Sequence, residues 1–227
     1  MTNQSKNNII IIDYMVNNYW GDFMKREEKN QQTRRRIMDS ALAEFSRQGY
    51  GASSVNAICA AQDISKGIIY HYFAAKDDLF LACVEECFVK LTEYLKQSIC
   101  QSSQNPRSQL EEYFFARSNF FKENPVYQRI FCEATIAPPS HLKSEIQSIK
   151  HSFDSFNIQI LEQILEPVSL RPQITKEDVI ETFRQFQDFI NARYSFSDLS
   201  EEEFKKLEKK RQKALDILLY GVVERNE

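Results

Sequence analysis

Two short helices joined by a tight turn are predicted between residues 50 and 80. The first runs from Ser54 to Gln62, the turn lies at Asp63-Ile64, and the second helix begins at Ser65. Two short helices joined by a turn of three or four residues form the helix-turn-helix, whose second helix enters the major groove of DNA. The chemistry that this spacing indicates is recognition of duplex DNA.

The first residues of the second helix have the types that such contacts need. The Ser65 hydroxyl can accept a hydrogen bond from a backbone amide two or three residues on, so it is a good N-cap. Lys66 adds a positive charge beside the phosphates, and Gly67 lets the backbone come close to DNA. Ile68 can contact a thymine methyl group.

The stretch DISKGIIYHYFAAKDDLF, residues 63–80, resembles the recognition-helix motif of the TetR (tetracycline-repressor) family of transcriptional regulators. The resemblance rests on serine-lysine-glycine, then tyrosine-x-tyrosine-phenylalanine, then a lysine followed by an acidic pair. It extends from Thr33 to Phe80. The chain departs from the family at Asp63, where glycine is usual, and at Ile68, where threonine is frequent.

The resemblance, together with residue type, assigns the expected DNA contacts. Lys66, Tyr70, Tyr72 and Lys76 are expected mostly at phosphates, whereas Asn56, Gly67, Ile68 and His71 are expected near bases. The full expected DNA-binding set is Ser54, Asn56, Ser65, Lys66, Gly67, Ile68, Tyr70, His71, Tyr72 and Lys76.

Charge is unevenly distributed along the 227 residues. The formal net charge is −3, but residues 24–80 hold nine Lys or Arg against seven Asp or Glu. The more basic end is therefore the one with the helix-turn-helix pattern.

The usual enzyme motifs are absent from the sequence. His71, His141 and His151 form no HxxxH or HExxH pair, and there is no GxSxG, GxGxxG or P-loop. Cys83 and Cys87 could share a metal or respond to oxidants, but they lie in an apolar stripe, which favours a place in the core. We expect no enzyme, no metal and no cofactor.

Cysteine usage and hydropathy indicate a cytoplasmic protein. The five cysteines are an odd number without paired spacing, no signal peptide precedes them, and reduced thiols are the simplest interpretation. No apolar run approaches the roughly 18 residues of a membrane-spanning helix, so no membrane association is expected.

The pattern predicts an all-α fold of about nine helices. Residues 1–23 have no helical period and are expected to be a poorly ordered extension or a start-site artefact, with a functional arm as the alternative. Residues 24–80 form the helix-turn-helix head, with a connecting helix to about residue 98. After a linker at 101–106, residues 106–227 form a helical effector-binding and dimerisation domain.

Aromatic residues are crowded in this second domain, where the family resemblance implies an effector pocket. We expect the pocket between the helices predicted at 108–122, 126–135 and 140–166, and to be largely apolar. The expected lining residues are Phe115, Arg117, Phe131, Phe153 and Phe156, with Glu133 and Gln159 as further polar groups. Packing in a solid core is the alternative use of the same aromatic residues.

The last two predicted helices, 175–194 and 200–224, are the expected dimer surface. Each has an apolar stripe, and four such helices can pack at a two-fold axis. The expected interface residues are Phe183, Phe186, Ile190, Leu215 and Leu218. The basic run at 205–213 is interpreted as a solvated helix face.

The sequence therefore predicts a homodimeric, ligand-responsive regulator that binds a pseudo-palindromic DNA operator and is released from it by a small apolar or aromatic effector. One alternative is a DNA-binding factor controlled by a protein partner without a small-molecule effector. Another is a helical enzyme or binding protein in which the helix-turn-helix is only a packing unit.

Overall fold

The computed structural model describes the backbone of residues 3–99, 105–193 and 200–222. Within those ranges, side chains are described from Met24 onward, apart from residues 191, 201, 219, 220 and 222. These residues form nine α-helices and no extended strand, which confirms the all-α prediction. In chain order the helices are α1 (Asn3–Ala52), α2 (Val55–Ala61), α3 (Lys66–Tyr72), α4 (Lys76–Ser98), α5 (Pro106–Glu123), α6 (Pro125–Thr135), α7 (Lys143–Leu165), α8 (Lys176–Arg193) and α9 (Glu201–Val222).

Helix α1 is longer than the sequence predicted. The helical pattern begins at Gln32, but the backbone of residues 3–23 continues the helix instead of forming an irregular extension. Extending an existing helix costs far less than nucleating a new one, so a segment without its own apolar period can still be helical. Near its other end, α1 is interrupted at Gly49, which has φ 77° and ψ 168°.

The head consists of α2, α3 and the adjoining part of α1. Ser54 caps α2 by accepting from the Ala57 amide at 3.1 Å, and Ser65 caps α3 by accepting from the Ile68 amide at 3.3 Å. Between them Asp63, where the family usually has glycine, has φ 50°, which is a left-handed conformation. The residues that close the head are buried and apolar: Ile37, Ala41, Phe45, Ile58, Ile64, Ile69 and Phe73.

Helix α4 joins the head to the rest of the chain. It packs against α1 at one end and against α5, α6 and α7 along its length. Its predicted apolar stripe is buried throughout: Leu79, Phe80, Cys83, Val84, Cys87, Phe88, Leu91 and Leu95. The linker predicted after α4 lies largely outside the described residues, which resume at Asn105.

Helices α5, α8 and α9 each begin at a local cap. Asn105 accepts from the Arg107 amide at 3.0 Å, and a 3-10 turn at Ser140–Leu142 precedes α7. Ser200 forms a capping box with Glu203, because its amide donates to the Glu203 carboxylate at 2.9 Å and its hydroxyl accepts from the Glu203 amide at 3.3 Å. Among the described helices, none combines the length and apolar character needed to cross a bilayer.

Candidate nucleic-acid interface

Helix α3 presents most of the expected DNA-binding residues on one exposed face. Ile69 is buried in the head, whereas Ile68 and Tyr70 on either side of it are 43% and 45% exposed. Lys66, Gly67 and His71 are also exposed. We call these five residues, Lys66, Gly67, Ile68, Tyr70 and His71, the α3 outer face.

The α3 outer face is open to a large partner. A Cβ atom built on Gly67 meets nothing within 4 Å, so the backbone there is accessible to close approach. The Lys66 ammonium lies 5.8 Å from the centre of the Tyr70 ring and has no carboxylate partner among the described residues. Exposed apolar and aromatic side chains beside an unpaired cation suit contact with base edges and phosphates.

Ser54, Asn56 and Ser65 lie beside this face. Ser54 and Ser65 use their hydroxyl oxygens as helix caps, and Asn56 is exposed in the first turn of α2. Each capping hydroxyl accepts its backbone hydrogen bond and keeps its own proton for donation to a phosphate oxygen.

Lys76 and Tyr72, which were expected at phosphates, have hydrogen-bond partners within the chain. The Lys76 ammonium donates to the carbonyls of Tyr50 at 2.9 Å and Ser53 at 3.1 Å, so it holds the start of α4 to the end of α1. The Tyr72 hydroxyl, half-buried, donates to the side chain of Asn30 on α1. Both groups therefore have partners within the chain, which their sequence positions did not reveal.

Phe131, Phe153 and Phe115, which were expected to line an effector pocket, have other aromatic side chains as neighbours. Phe131 and Phe153 are buried in an aromatic cluster with Phe88 and Phe121, with ring centroids 5.0 to 6.0 Å apart. Phe115 is exposed on the outside of α5, near Phe204 of α9. These three residues are therefore core or surface residues, and close packing accounts for the two that are buried.

Arg117, also expected at the pocket, is buried beneath this cluster. Its guanidinium donates to the Tyr113 hydroxyl at 3.1 Å, lies 3.5 Å from the Asp188 carboxylate, and is 5.5 Å from the ring centres of Phe131 and Phe153. Burial raises the pKa of Asp188, although the Arg117 charge opposes that shift. A buried cation needs such partners, so Arg117 joins α5 to α8.

A cavity of about 520 Å³ lies between the C-terminal part of α4, the start of α5 and α7. We call it the effector cavity, because we propose that it binds the effector. Of the expected lining residues only Phe156 contributes, and neither α6, Glu133 nor Gln159 lines it. The lining residues are Lys96, Ile99, Gln109, Phe156, Ile160, Gln163 and Ile164. The apolar period of α7 at Phe156, Ile160 and Ile164 was visible in the sequence, but the opposing residues on α4 and α5 were not.

Comparison with known proteins agrees with this architecture. Residues 37–83 match the model for bacterial regulatory proteins of the tetR family. IcaR of Staphylococcus epidermidis, the negative transcriptional regulator of the biofilm operon icaADBC, is 25% identical over 165 residues, which are 71% of this chain and 84% of IcaR. The matched segment contains the two capped helices and the α3 outer face.

The chain belongs to the TetR family.

Solved structures show that the fold of this TetR-family regulator extends beyond the head. A TetR family regulator from Chloroflexus aurantiacus J-10-FL superposes with a TM-score of 0.66 at 22% identity, covering 86% of this chain and 95% of that one. FadR from Bacillus subtilis, solved in complex with stearoyl-CoA, has a TM-score of 0.66 at 16% identity and covers 82% and 97%. At these identities the two structures establish the fold alone.

The residues expected at the dimer interface of this TetR-family protein are mostly inside the protomer. Phe183, Ile190 and Leu215 are buried, and Phe183 and the half-buried Phe186 pack against Phe114 of α5. Leu218 is half-buried against the same core. Among the side chains of α8 and α9 that the structure describes, the exposed large apolar ones are instead Phe189 of α8, 62% exposed, and Ile217 of α9, 73% exposed.

The basic run of α9 is only partly the solvated face that was expected. Its lysines are exposed, but Arg211 and Glu208 are buried and joined by a hydrogen bond of 2.9 Å. The Arg211 guanidinium lies 5.8 Å from the centre of the Phe114 ring. Because buried and exposed positions of this run have the same charged residue types, the sequence did not identify Arg211 and Glu208 as buried.

Cys83 and Cys87 are buried in the stripe of α4, as the core interpretation predicted. Burial raises the pKa of both thiols well above the ordinary value. The reactive thiolate is therefore disfavoured, and the described residues contain no group of three potential metal ligands.

Proposed function

We propose that this TetR-family regulator is a repressor that a small molecule releases from a pseudo-palindromic operator. The α3 outer face is the observation that best supports DNA recognition. Ile68 and Tyr70 are exposed on it, whereas Ile69 between them is buried in the core of the head. An exposed isoleucine and tyrosine on a seven-residue helix bury little apolar area within the protomer, so they suit contact with a partner surface.

Within the α3 outer face, roles follow from side-chain chemistry. Lys66 is proposed to neutralise a phosphate, and Tyr70 to donate its hydroxyl to one. Ile68 suits a thymine methyl group, and His71 a base edge or a phosphate. Ser54, Asn56 and Ser65 at the margins of the face add hydrogen-bond donors.

A symmetric dimer would present two such faces to DNA. In helix-turn-helix dimers the recognition helices contact half-sites about 34–36 Å apart, which is one turn of the duplex. Phe189 and Ile217, exposed on α8 and α9, supply apolar area for a two-fold interface between protomers. They replace the interface residues expected from the apolar stripes.

The effector cavity supports control by a small molecule. Its volume of about 520 Å³ lies in the range of small-molecule sites, and its walls are mostly apolar. The matched FadR of Bacillus subtilis was solved with stearoyl-CoA, so a protein of this fold binds a ligand that has a long apolar chain.

Helix α4 connects the cavity to the head. Lys96 near its C-terminal end lines the cavity, while Lys76 at its N-terminal end donates to carbonyls at the end of α1. A ligand that binds better to one position of α4 than to another would shift the distance between the two heads. Such a shift lowers operator affinity only by the ligand's differential affinity for the two states. The matched IcaR is a negative regulator, which supports repression as the outcome.

Control by a protein partner is the second candidate. It is favoured by the exposed apolar side chains Val89 and Ile136, which lie outside α8 and α9. The effector cavity favours the small-molecule proposal over it, because the volume and the mostly apolar walls of the cavity suit a small molecule.

Selection of bound duplexes from a random-sequence DNA pool tests the proposal. We expect a pseudo-palindrome whose half-sites are one helical turn apart, and loss of its enrichment in the variant Ile68→Asp. A small-molecule screen for release of that duplex, repeated on Ile160→Trp to fill the cavity, tests the effector. Binding of DNA without sequence preference would contradict operator recognition, and release that persists in Ile160→Trp would contradict the cavity as the effector site.

A further inference from the structure

We infer that the effector cavity accepts an amphipathic anion, an elongated apolar body with one carboxylate or equivalent group, and that Lys96 selects for its charge. This inference rests on the proposed function, because it names the ligand class of the same cavity. It goes beyond the apolar or aromatic effector of that proposal by assigning the charge, the shape and the residue that discriminates.

The shape follows from the wall that α7 contributes. Phe156, Ile160, Gln163 and Ile164 occupy positions i, i+4, i+7 and i+8, so they lie on one face of the helix. At 1.5 Å per residue this face is about 12 Å long. Ile99, the C-cap residue of α4, adds a further apolar side chain to the lining. A long, narrow ligand covers such a wall better than a compact one, and apolar contact is its main source of affinity.

The charge follows from the polar groups. Among the lining residues that the structure describes, the exposed Lys96 is the one charged side chain, and none is a carboxylate. Within the described part of the chain, no Asp or Glu pairs with Lys96; its ammonium lies 5.5 Å from the centre of the Phe156 ring. An anionic ligand would provide the missing counter-charge, whereas a cationic ligand would meet Lys96 without compensation.

The arrangement of Lys96 and Phe156 orients the ligand. Contact with the aromatic ring holds the ammonium above the α7 wall, at the end of the cavity where Phe156 lies. Gln163, seven residues further along α7, contributes an amide but no charge at the other end. The anionic group is therefore placed beside Lys96 and Phe156, and the apolar body extends along Ile160 and Ile164.

Three probes with the same chain and different charge test the inference on the full-length protein: octanoate, octan-1-ol and octylammonium. Isothermal titration calorimetry measures the Kd of each. We expect octanoate to bind most tightly and octylammonium most weakly, and each added methylene from hexanoate to decanoate to tighten binding about fourfold. Lys96→Gln should weaken octanoate binding about three- to tenfold, within the range for a partly exposed charged contact, and leave octan-1-ol binding unchanged.

Matched variants separate the charge from the cavity. Lys90→Gln removes an exposed lysine from the same helix without touching the cavity and should leave all three affinities unchanged. Ile160→Trp should abolish binding of all three probes, with thermal unfolding used to confirm that it folds. Equal or tighter binding of octan-1-ol or octylammonium to the wild type, or unchanged octanoate binding by Lys96→Gln, would overturn the anion inference and leave the cavity as the effector site. If none of the probes binds, the inference is also overturned, and the release screen still decides whether a small molecule controls DNA binding.

Discussion

The backbone amide of Tyr50 donates to both carboxylate oxygens of Glu133, each at 3.0 Å, and so joins the end of α1 to α6. The Tyr50 hydroxyl donates to Asp77 of α4 at 2.5 Å and lies 3.0 Å from His141 Nε2. Burial, followed by the hydrogen bond to Asp77, raises the pKa of Tyr50 to about 12, so the hydroxyl remains a donor at neutral pH. Tyr50 thus connects the end of α1 to both α4 and α6, so a displacement of either helix would change its hydrogen bonds.

Gly49, the residue before Tyr50, is expected to tolerate no side chain. Its φ of 77° is rarely adopted by other residues, and an added Cβ would lie 3.1 Å from Arg129 Nη2 and 3.4 Å from Glu133. Gly49→Ala should lower the free energy of unfolding by about 1–3 kcal/mol. Gly51→Ala is the matched control, since nothing lies within 4 Å of its Cβ, and it should be neutral or slightly stabilising. Urea unfolding compares the two, and equal effects would show that the backbone at Gly49 adapts.

Substitutions at Lys66 and Lys76 should have different effects, on DNA binding in the first case and on stability in the second. Lys66→Ala should weaken binding to all duplexes and reduce the slope of log affinity against log salt by about one. Lys76→Ala should instead lower the free energy of unfolding by about 1–3 kcal/mol and leave the salt slope unchanged, because its ammonium bonds two carbonyls of the head. Fluorescence anisotropy over a salt series measures the slopes. A reduced slope in Lys76→Ala would restore this residue as a phosphate contact.

Phe189 and Phe183 on α8 should respond differently to the same substitution. Phe189→Asp places a charge on an exposed apolar site and should give folded monomers at micromolar concentration in sedimentation velocity. Phe183→Asp should unfold the chain, because an unpaired buried carboxylate costs several kcal/mol. Val89→Asp, at an apolar site on α4 that is also exposed, is the control and should leave the dimer intact. A Phe189→Asp dimer would place the interface on another surface.

Asp63→Gly should be neutral or slightly stabilising, since the turn has φ 50° and glycine adopts that conformation without strain. Asp63→Ala should be destabilising by about 1 kcal/mol, because alanine tolerates the left-handed region less well than aspartate. Chemical unfolding of the three proteins gives the order. A loss of more than about 1 kcal/mol in Asp63→Gly would show that the carboxylate has a partner of its own.

Glu86 is expected to make stability depend on pH. Partial burial raises its pKa, but hydrogen bonds from Arg35 at 2.7 Å and Tyr127 at 2.6 Å outweigh burial, and the net pKa is lowered. Because the folded pKa is below the unfolded one, Glu86 stabilises the fold above its unfolded pKa, and this contribution is lost as pH falls through the folded pKa.

Glu86→Gln tests that dependence. The variant should be less stable than the wild type at pH 7 by about 1–3 kcal/mol, and the difference should shrink in acid. Glu93→Gln, exposed on the same helix, should show no such dependence. A difference that stays constant from pH 7 to acid would assign the effect to shape and not to charge.

The sequence by itself determined the elements whose interactions are local. Ser54, Ser65 and Ser200 each cap a helix through a residue three positions away, and Asp63 adopts the turn conformation within its own backbone. These interactions need no knowledge of distant residues, so the helix-turn-helix and most helix starts could be predicted from residue types and spacing.

Tertiary structure decided what the apolar and charged side chains contact. The stripe containing Phe183 and Leu215 has the same period whether it packs inside the protomer or against a partner, because both arrangements remove the same apolar area from water. Lys76 could be assigned to the Tyr50 and Ser53 carbonyls only after α1 and α4 were placed together.

The effector cavity shows most clearly which features the sequence determined and which only the tertiary structure decided. Phe156 was expected from its type, but Lys96 and Gln109 line the cavity only because α4, α5 and α7 meet there. Helical periodicity describes one face of one helix, over three or four residues at a time. A cavity is the volume left between faces that are far apart in the chain, so the packing of the helices determines it.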